Sequence, residues 1–334
     1  MNKQRPVVGI TYNQAFPVND GVVRKTLGSL ADVRMIEMPT GDLTESEEAL
    51  AADQMQDVVA VLFRPGTLGR NLLMQCPNLR MIAVHGAGFD KIDLPTAVER
   101  GVTVTNAPGA NATGVAELTL AVAVALIRGL IPVSEATKTG MWNEARRQGT
   151  ELAGKTLGIL GVGQVGSRVA SRALAFEMNV IAYDPAYTAE QLVSRGIERR
   201  SFNEVIESAD ILTLHVPLEE KTFHLLDEKA ISRMKRGAYL LNLARGPVVD
   251  ERAAERALRD GRLAGAAFDV REHEPHAEVD SLRTLPNVIV TPHIGGSTDE
   301  SLARIAQVCA DEIGRFLRGE PPVNVVLSPT PARR

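Results

Sequence analysis

Short β-branched and aliphatic runs recur along the chain, each followed by a helix-like stretch. In the first part they fall at 7–11, 33–38, 58–63, 79–84 and 102–105. A second series occupies 156–160, 180–183, 211–215, 238–242, 265–268 and 288–290. Strands alternating with helices predict parallel sheets with crossover helices, and two such series predict two α/β units. Between them 111–130 reads as a helix whose apolar stretch, LTLAVAVALI at 118–127, is bounded by Glu117 and Arg128. Ten residues are too few to span a membrane, so a helix buried on all sides is expected. The polar segment 134–150 follows, with the only tryptophan, Trp142. A last helix over 302–317 comes after the second series and is expected to fold back onto the first unit, making that domain discontinuous. The tail from Pro321 is proline-rich and is expected to end in a frayed coil.

Length agrees with this division, since 334 residues exceed one compact core. A formal charge of −4 gives no general reason to bind nucleic acid or an anionic membrane, so an anionic substrate needs a local basic site. Two cysteines, Cys76 and Cys309, make neither a disulfide framework nor a C-x-x-C pair, and no metal site is expected. The opening apolar run 7–10 is too brief for a signal-peptide core, and the chain reads as cytosolic.

Gly161-Val-Gly-Gln-Val-Gly166 matches G-x-G-x-x-G directly after the strand 156–160 and before a plausible helix, 167–178. There the first glycine makes a tight turn, the second (Gly163) admits a pyrophosphate to the backbone, and the third lets helix pack on strand. Phosphates would sit on the helix N-terminal amides. Asp184 ends the next strand, placed to accept from an adenosine ribose and to repel the extra phosphate of NADP, so NAD is the expected cofactor. The alternative is an ordinary turn and a solvated aspartate.

Three further segments put polar residues just past predicted strands, and the C-terminal strand ends are where open α/β sheets bind ligands. They carry Arg245, Glu274 and, in TPHIGGST (291–298), His293. Hydride loss from a hydroxyl-bearing carbon requires loss of the hydroxyl proton to a base titrating near neutrality, which suits histidine. A glutamate on the other ring nitrogen fixes the tautomer and raises the imidazole pKa. An arginine binds a carboxylate in bidentate fashion. Together they predict a 2-hydroxy or 2-oxo acid substrate, with the proline and glycines shaping the turn that presents His293. Each residue also has a plainer reading, as a surface histidine, an ion-pair arginine and a carboxylate before proline.

Six segments, GAGFDKID (86–93), GVGQVG (161–166), LHVPL (214–218), NLARGPVVDE (242–251), DVREHEP (269–275) and TPHIGGST, make the chain resemble the D-isomer-specific 2-hydroxyacid dehydrogenases over nearly its whole length. The resemblance implies two Rossmann-like doubly wound parallel-sheet α/β domains with a cleft between them. Residues 1–105 and 297–334 would form a flavodoxin-like substrate domain and 106–296 the NAD-binding domain. It implies a catalytic triad of Arg245, Glu274 and His293, and a substrate carboxylate on the amides of Ala87 and Gly88. It further places Gln164 and Val165 along the pyrophosphate, Val216 and Ala244 on the adenosine and nicotinamide path, Gly295 beside the cofactor, and Asp269 on the nicotinamide amide. A homodimer built by the region of 118–127 and Trp142 is also implied.

Within the family, GTELAGKTLGILGVG (149–163) looks most like D-3-phosphoglycerate dehydrogenases. Arg64 matches an arginine near the substrate phosphate in that subgroup, or is a plain loop cation. The chain stops short of the regulatory domains many of those enzymes carry, and control through such a domain is not expected. Hydroxypyruvate or glyoxylate reduction is the alternative activity, and an NAD(H)-sensing corepressor-like protein the alternative of another class. Arg271 stands where the family has an aromatic residue, and both it and His273 are expected to face solvent.

Overall fold

The computed structural model describes residues 5–274 and 281–328, in two compact units: residues 1–111 with 298–334, and residues 112–297. The end of the proline-rich tail, 329–334, and Pro275 lie outside the described residues.

In unit 1, β1 (Val7–Tyr12), β2 (Asp32–Glu37), β3 (Val58–Phe63), β4 (Met81–Val84) and β5 (Thr103–Thr105) run parallel in the order β5-β4-β3-β1-β2. The apolar run of β3 has a simple cause: side chains alternate across the sheet, and both faces are covered. Val61 and Phe63 pack with Leu72 and Ile82 on one face, and Ala60 and Leu62 with Val8, Ile10 and Met81 on the other. The second face is closed by Ile305, Ala306, Cys309 and Ile313 of the helix Asp299–Leu317, beside Val23 and Leu27 of the helix Asp20–Leu27.

The tail is not coil throughout, and its end, where a frayed coil is expected, lies outside the described residues. Val325–Leu327 forms a strand antiparallel to β5. Buried Glu312 explains why a proline-rich segment is held there. Its carboxylate accepts from the amides of Val323 (2.9 Å) and Asn324 (2.8 Å) and from Asn324 Nδ2 (2.8 Å).

Unit 2 holds β6 (Thr156–Leu160), β7 (Asn179–Tyr183), β8 (Glu198–Arg199), β9 (Ile211–Leu214), β10 (Ala238–Asn242), β11 (Leu263–Phe268) and β12 (Val288–Val290). All are parallel, in the order β12-β11-β10-β9-β6-β7-β8. Leu160, Leu214, Asn242, Phe268 and Val290 are successive register partners, so five strands end on one line. Strand order reverses between β6 and β9, the position where doubly wound sheets bind nucleotides.

The apolar helix Ala112–Arg128 is buried on one face only. Val115, Leu120, Ala123 and Ile127 join the core, while Glu117, Ala121 and Arg128 are exposed. It stops at Gly129, and Leu130–Lys138 continues as a second helix turned by 63°, whose last residues enter the segment 134–150 that reads by composition as polar. Among the described residues no single helix is long and apolar enough to cross a membrane.

Replacing Glu312 by alanine removes the acceptor of three donors at once. Glu312→Ala is expected to lower unfolding stability by about 1–3 kcal/mol and Glu312→Gln by less, as read from urea denaturation midpoints.

Candidate active site

Because the strands of unit 2 end together, the segments after β6, β9, β10, β11 and β12 emerge along one edge. The glycine loop leaves β6. Gly161 has φ 91°, and a Cβ there would lie 2.7 Å from the carbonyl oxygen of His215 and 3.0 Å from Val216. A Cβ on Gly166, at the start of the helix Gly166–Ala175, would lie 2.0 Å from the carbonyl oxygen of Gly161. Gly163 instead faces open space, as a backbone approached by a pyrophosphate requires. First-turn amides of a helix lack intrahelical acceptors and point toward such an anion. Val165 is the N-cap of that helix, and Gln164 is exposed and tied through its side chain to Arg168 at 2.9 Å.

Asp184 directly follows β7. Its Oδ2 accepts from the Val162 amide at 2.7 Å and its Oδ1 from the Ala186 amide at 2.9 Å. The carboxylate therefore braces the glycine loop, a task its place in the sequence did not announce, and keeps lone pairs for a ribose. The residues present fit a dinucleotide.

Arg245 follows β10 in a turn bracketed by fully buried Asn242. Asn242 Nδ2 donates to the Arg245 carbonyl at 2.9 Å, and Asn242 Oδ1 accepts from the amide of buried Ala244 at 3.2 Å. Arg245 Nη1 donates to the Ala244 carbonyl at 2.7 Å.

Glu274 and His293 meet directly, with Glu274 Oε2 2.8 Å from His293 Nδ1, while Glu274 Oε1 accepts from the Arg271 amide at 2.9 Å. Burial pulls the His293 pKa down. The hydrogen bond and charge of Glu274, with the charge of Asp269, outweigh it and leave the imidazole above its ordinary value, although Arg245 opposes them. For Glu274, burial pushes upward, but His293, the Arg271 amide and Arg245 bring the carboxyl below its usual range. Other histidines behave differently. Burial alone drives His215 down to about 3, and burial with the Arg64 charge drives His85 to about 3.

The turn carrying His293 is built otherwise than its glycines suggest. His293 itself takes the left-handed conformation, φ 55°, and Gly295 and Gly296 do not. A single side chain holds it there. Buried Asp269, one residue past β11, accepts from the Thr291 hydroxyl (2.6 Å) and the amides of Ile294 (2.8 Å) and Gly295 (2.8 Å). Its carbonyl accepts from the His293 amide at 2.8 Å. Asp269 thus braces this turn, a task the resemblance did not imply, and Gly295 is set against it.

Arg271 does not face solvent. Its side chain is 9% exposed and pairs in bidentate fashion with Glu251, Nε and Nη2 each at 2.8 Å. A cation taken out of water needs such a partner, and Glu251 lies twenty positions upstream. His273 is exposed.

In unit 1, Arg64 follows β3, beside the reversal of strand order at β1. Its amide donates to Thr11 Oγ1 at 2.9 Å and its guanidinium lies 5.6 Å above the Phe16 ring. Nη1 is buried with no hydrogen-bond partner among the described residues, and burial lowers the pKa to about 10. Ala87 is exposed, and its carbonyl accepts from Asn106 Nδ2 at 2.7 Å; Gly88 is half-buried.

The sequence model described as "D-isomer specific 2-hydroxyacid dehydrogenase, NAD binding domain" matches residues 120–295. A D-3-phosphoglycerate dehydrogenase of Methanocaldococcus jannaschii is 40% identical over 93% of this chain and 59% of its own length. A hydroxypyruvate reductase of Thermotoga maritima is 36% identical over 90% of this chain and 97% of its own. The crystal structure of a D-lactate dehydrogenase from Aquifex aeolicus, complexed with NAD and lactic acid, is 30% identical and covers 97% of this chain and 100% of its own, with a TM-score of 0.84. The chain spans 55–59% of the length of the phosphoglycerate dehydrogenases it matches.

Asp269→Asn puts an amide NH2 where donors already converge on both oxygens. It is expected to lower stability by about 1–3 kcal/mol and to weaken the His293 contact with Glu274. Calorimetry reads the first effect, and titration of the His293 ring signal by NMR, with its midpoint displaced toward acid, reads the second.

Proposed function

The chain belongs to the D-isomer specific 2-hydroxyacid dehydrogenase family, and from that premise we propose that it is an NAD-dependent oxidoreductase interconverting a D-2-hydroxy acid and its 2-oxo acid. The observation that carries this reading is the 2.8 Å contact of His293 Nδ1 with Glu274, with Arg245 charged beside both. With Nδ1–H donated to the carboxylate, Nε2 is the atom left to exchange a proton with the substrate oxygen. In the oxidative direction neutral His293 takes the hydroxyl proton, and Glu274 stabilises the imidazolium that results. In reduction the imidazolium returns that proton to the carbonyl oxygen. Arg245 binds the substrate carboxylate and keeps the adjacent carbonyl polarised. The glycine loop and Asp184 would hold NAD, which would supply the hydride acceptor and, in its reduced form, the donor.

For the substrate we favour a 2-oxo acid with a second anionic group, 3-phosphohydroxypyruvate. The enclosed Nη1 of Arg64 supports it, because a desolvated guanidinium nitrogen is best satisfied by an anion. The second reading, hydroxypyruvate or glyoxylate reduction, is favoured by the Phe16 ring under Arg64, which gives the cation a partner of its own.

An NADH-oxidation panel of 3-phosphohydroxypyruvate, hydroxypyruvate, glyoxylate and pyruvate separates these. The expected result is preference for the phosphorylated acid, reduced about 100-fold by Arg64→Ala, and loss of all turnover in His293→Ala. Equal rates would support the general reductase. NADH binding without turnover would leave a sensing protein. Because the His293 pKa is raised above its ordinary value, kcat/KM for reduction should hold on the acid side and fall only above a midpoint higher than about 6.5, with oxidation rising through the same window.

A homodimer belongs to the same proposal. Leu130, Ile131, Met141 and Trp142, close in sequence, are 46–68% exposed, and a second copy is the occupant that would cover them. Light scattering should give twice the chain mass, and a monomer for Trp142→Glu; a monomeric parent would overturn this part.

A further inference from the structure

Glu274 reaches His293 from the end of the loop 269–274, and that loop is anchored on the far side by charge. Glu251 opens the helix Glu251–Arg259, whose N-terminal amides favour its negative charge. Besides the bidentate bond from Arg271, Glu251 Oε1 accepts from the Glu272 amide at 2.9 Å. In return Glu272 Oε1 accepts from the Glu251 amide at 3.3 Å and lies 2.9 Å from His224 Nε2. The backbone of Arg271 and Glu272 is pressed on Gly246, where a Cβ would come within 1.9 Å of the Arg271 carbonyl. One end of the Arg271 residue is therefore fixed by an ion pair, with side chains 9% and 14% exposed, while its amide holds Glu274 Oε1 at 2.9 Å.

We propose that Arg271 and Glu251 are positioning residues for the acid–base pair: their ion pair fixes the loop so that the Arg271 amide keeps Glu274 within hydrogen-bond reach of His293. An apolar side chain at 271 would fill the same space, but dispersion contacts tolerate sliding along the helix end and a bidentate charged bond does not. The other charged groups acting on His293, Asp269 and Arg245, are held by separate contacts, so loosening the 271 anchor acts through Glu274. The kinetic part of this inference rests on the oxidoreductase reading; the structural part does not.

The test uses the full chain and four variants: Arg271→Met, Glu251→Gln, the double variant, and Arg271→Lys. The His293 ring resonance, assigned by its loss in His293→Ala, is titrated by NMR, while kcat and NADH affinity are measured alongside. In Arg271→Met and in the double variant the His293 midpoint should move toward acid by about half to one pH unit. In the same variants kcat should fall about tenfold, with NADH affinity within about twofold of the parent, and Arg271→Lys, which keeps the charge but not the bidentate fork, should recover only part of the loss. If a single variant fails to fold because one charge is left buried and unpaired, the double variant, which removes both, decides. A His293 midpoint identical to the parent's in a folded variant overturns the proposal. A parent that turns over no 2-oxo acid would sink the oxidoreductase reading, and the NMR midpoints would still decide the positioning role.

Discussion

The carboxylate of Asp269 ties the end of one strand to the turn beyond the next, and the geometry of the candidate site depends on that tie. Parallel pairing sets Phe268 beside Val290, so the residue after each strand lies beside its neighbour. A buried carboxylate at 269 can then gather the Thr291 hydroxyl and the Ile294 and Gly295 amides at 2.6–2.8 Å. What it stabilises is a backbone conformation that a histidine seldom adopts, disfavoured by about 1 kcal/mol or more. Released from that tie, His293 would relax toward ordinary φ values and carry its ring away from Glu274.

Electrostatics in unit 2 follow from which buried groups have partners. Burial drives His215 far below neutrality, whereas His293, whose side chain stays 45% exposed, ends above its ordinary value. The carboxylate at Nδ1 accounts for the difference, since a nearby opposite charge favours the ionised form that burial disfavours. Arg271 obeys the same rule from the cationic side: it is enclosed because Glu251 accompanies it. Three charged pairs or clusters, Asp269 with its donors, Glu274 with His293 and Arg271 with Glu251, fix one short loop from three directions.

In unit 1 the same logic has a different outcome. Arg64 is partly desolvated over an aromatic ring, and one of its nitrogens lacks an acceptor. A chain of net charge −4 thus keeps an enclosed cation just past the end of a central strand, where local chemistry rather than overall charge governs what binds.

The places of most strands along the chain and the glycine loop were legible in the sequence, because strands covered on both faces must be continuous apolar runs and a tight turn under a helix demands Gly161 and Gly166. Arg245, Glu274 and His293 were legible too, as polar residues placed just past such runs. Other features were not. Two-residue β8 carries no periodicity, and the last strand exists because Glu312 holds a segment that composition marks as coil. Only the tertiary structure decided that the Arg271 side chain is enclosed against Glu251, that Asp269 serves the His293 turn, and that His293 rather than a glycine takes the positive φ. Each of these depends on a partner far away along the chain, and local patterning records the period of a strand or helix but not which distant charge or carbonyl it will meet.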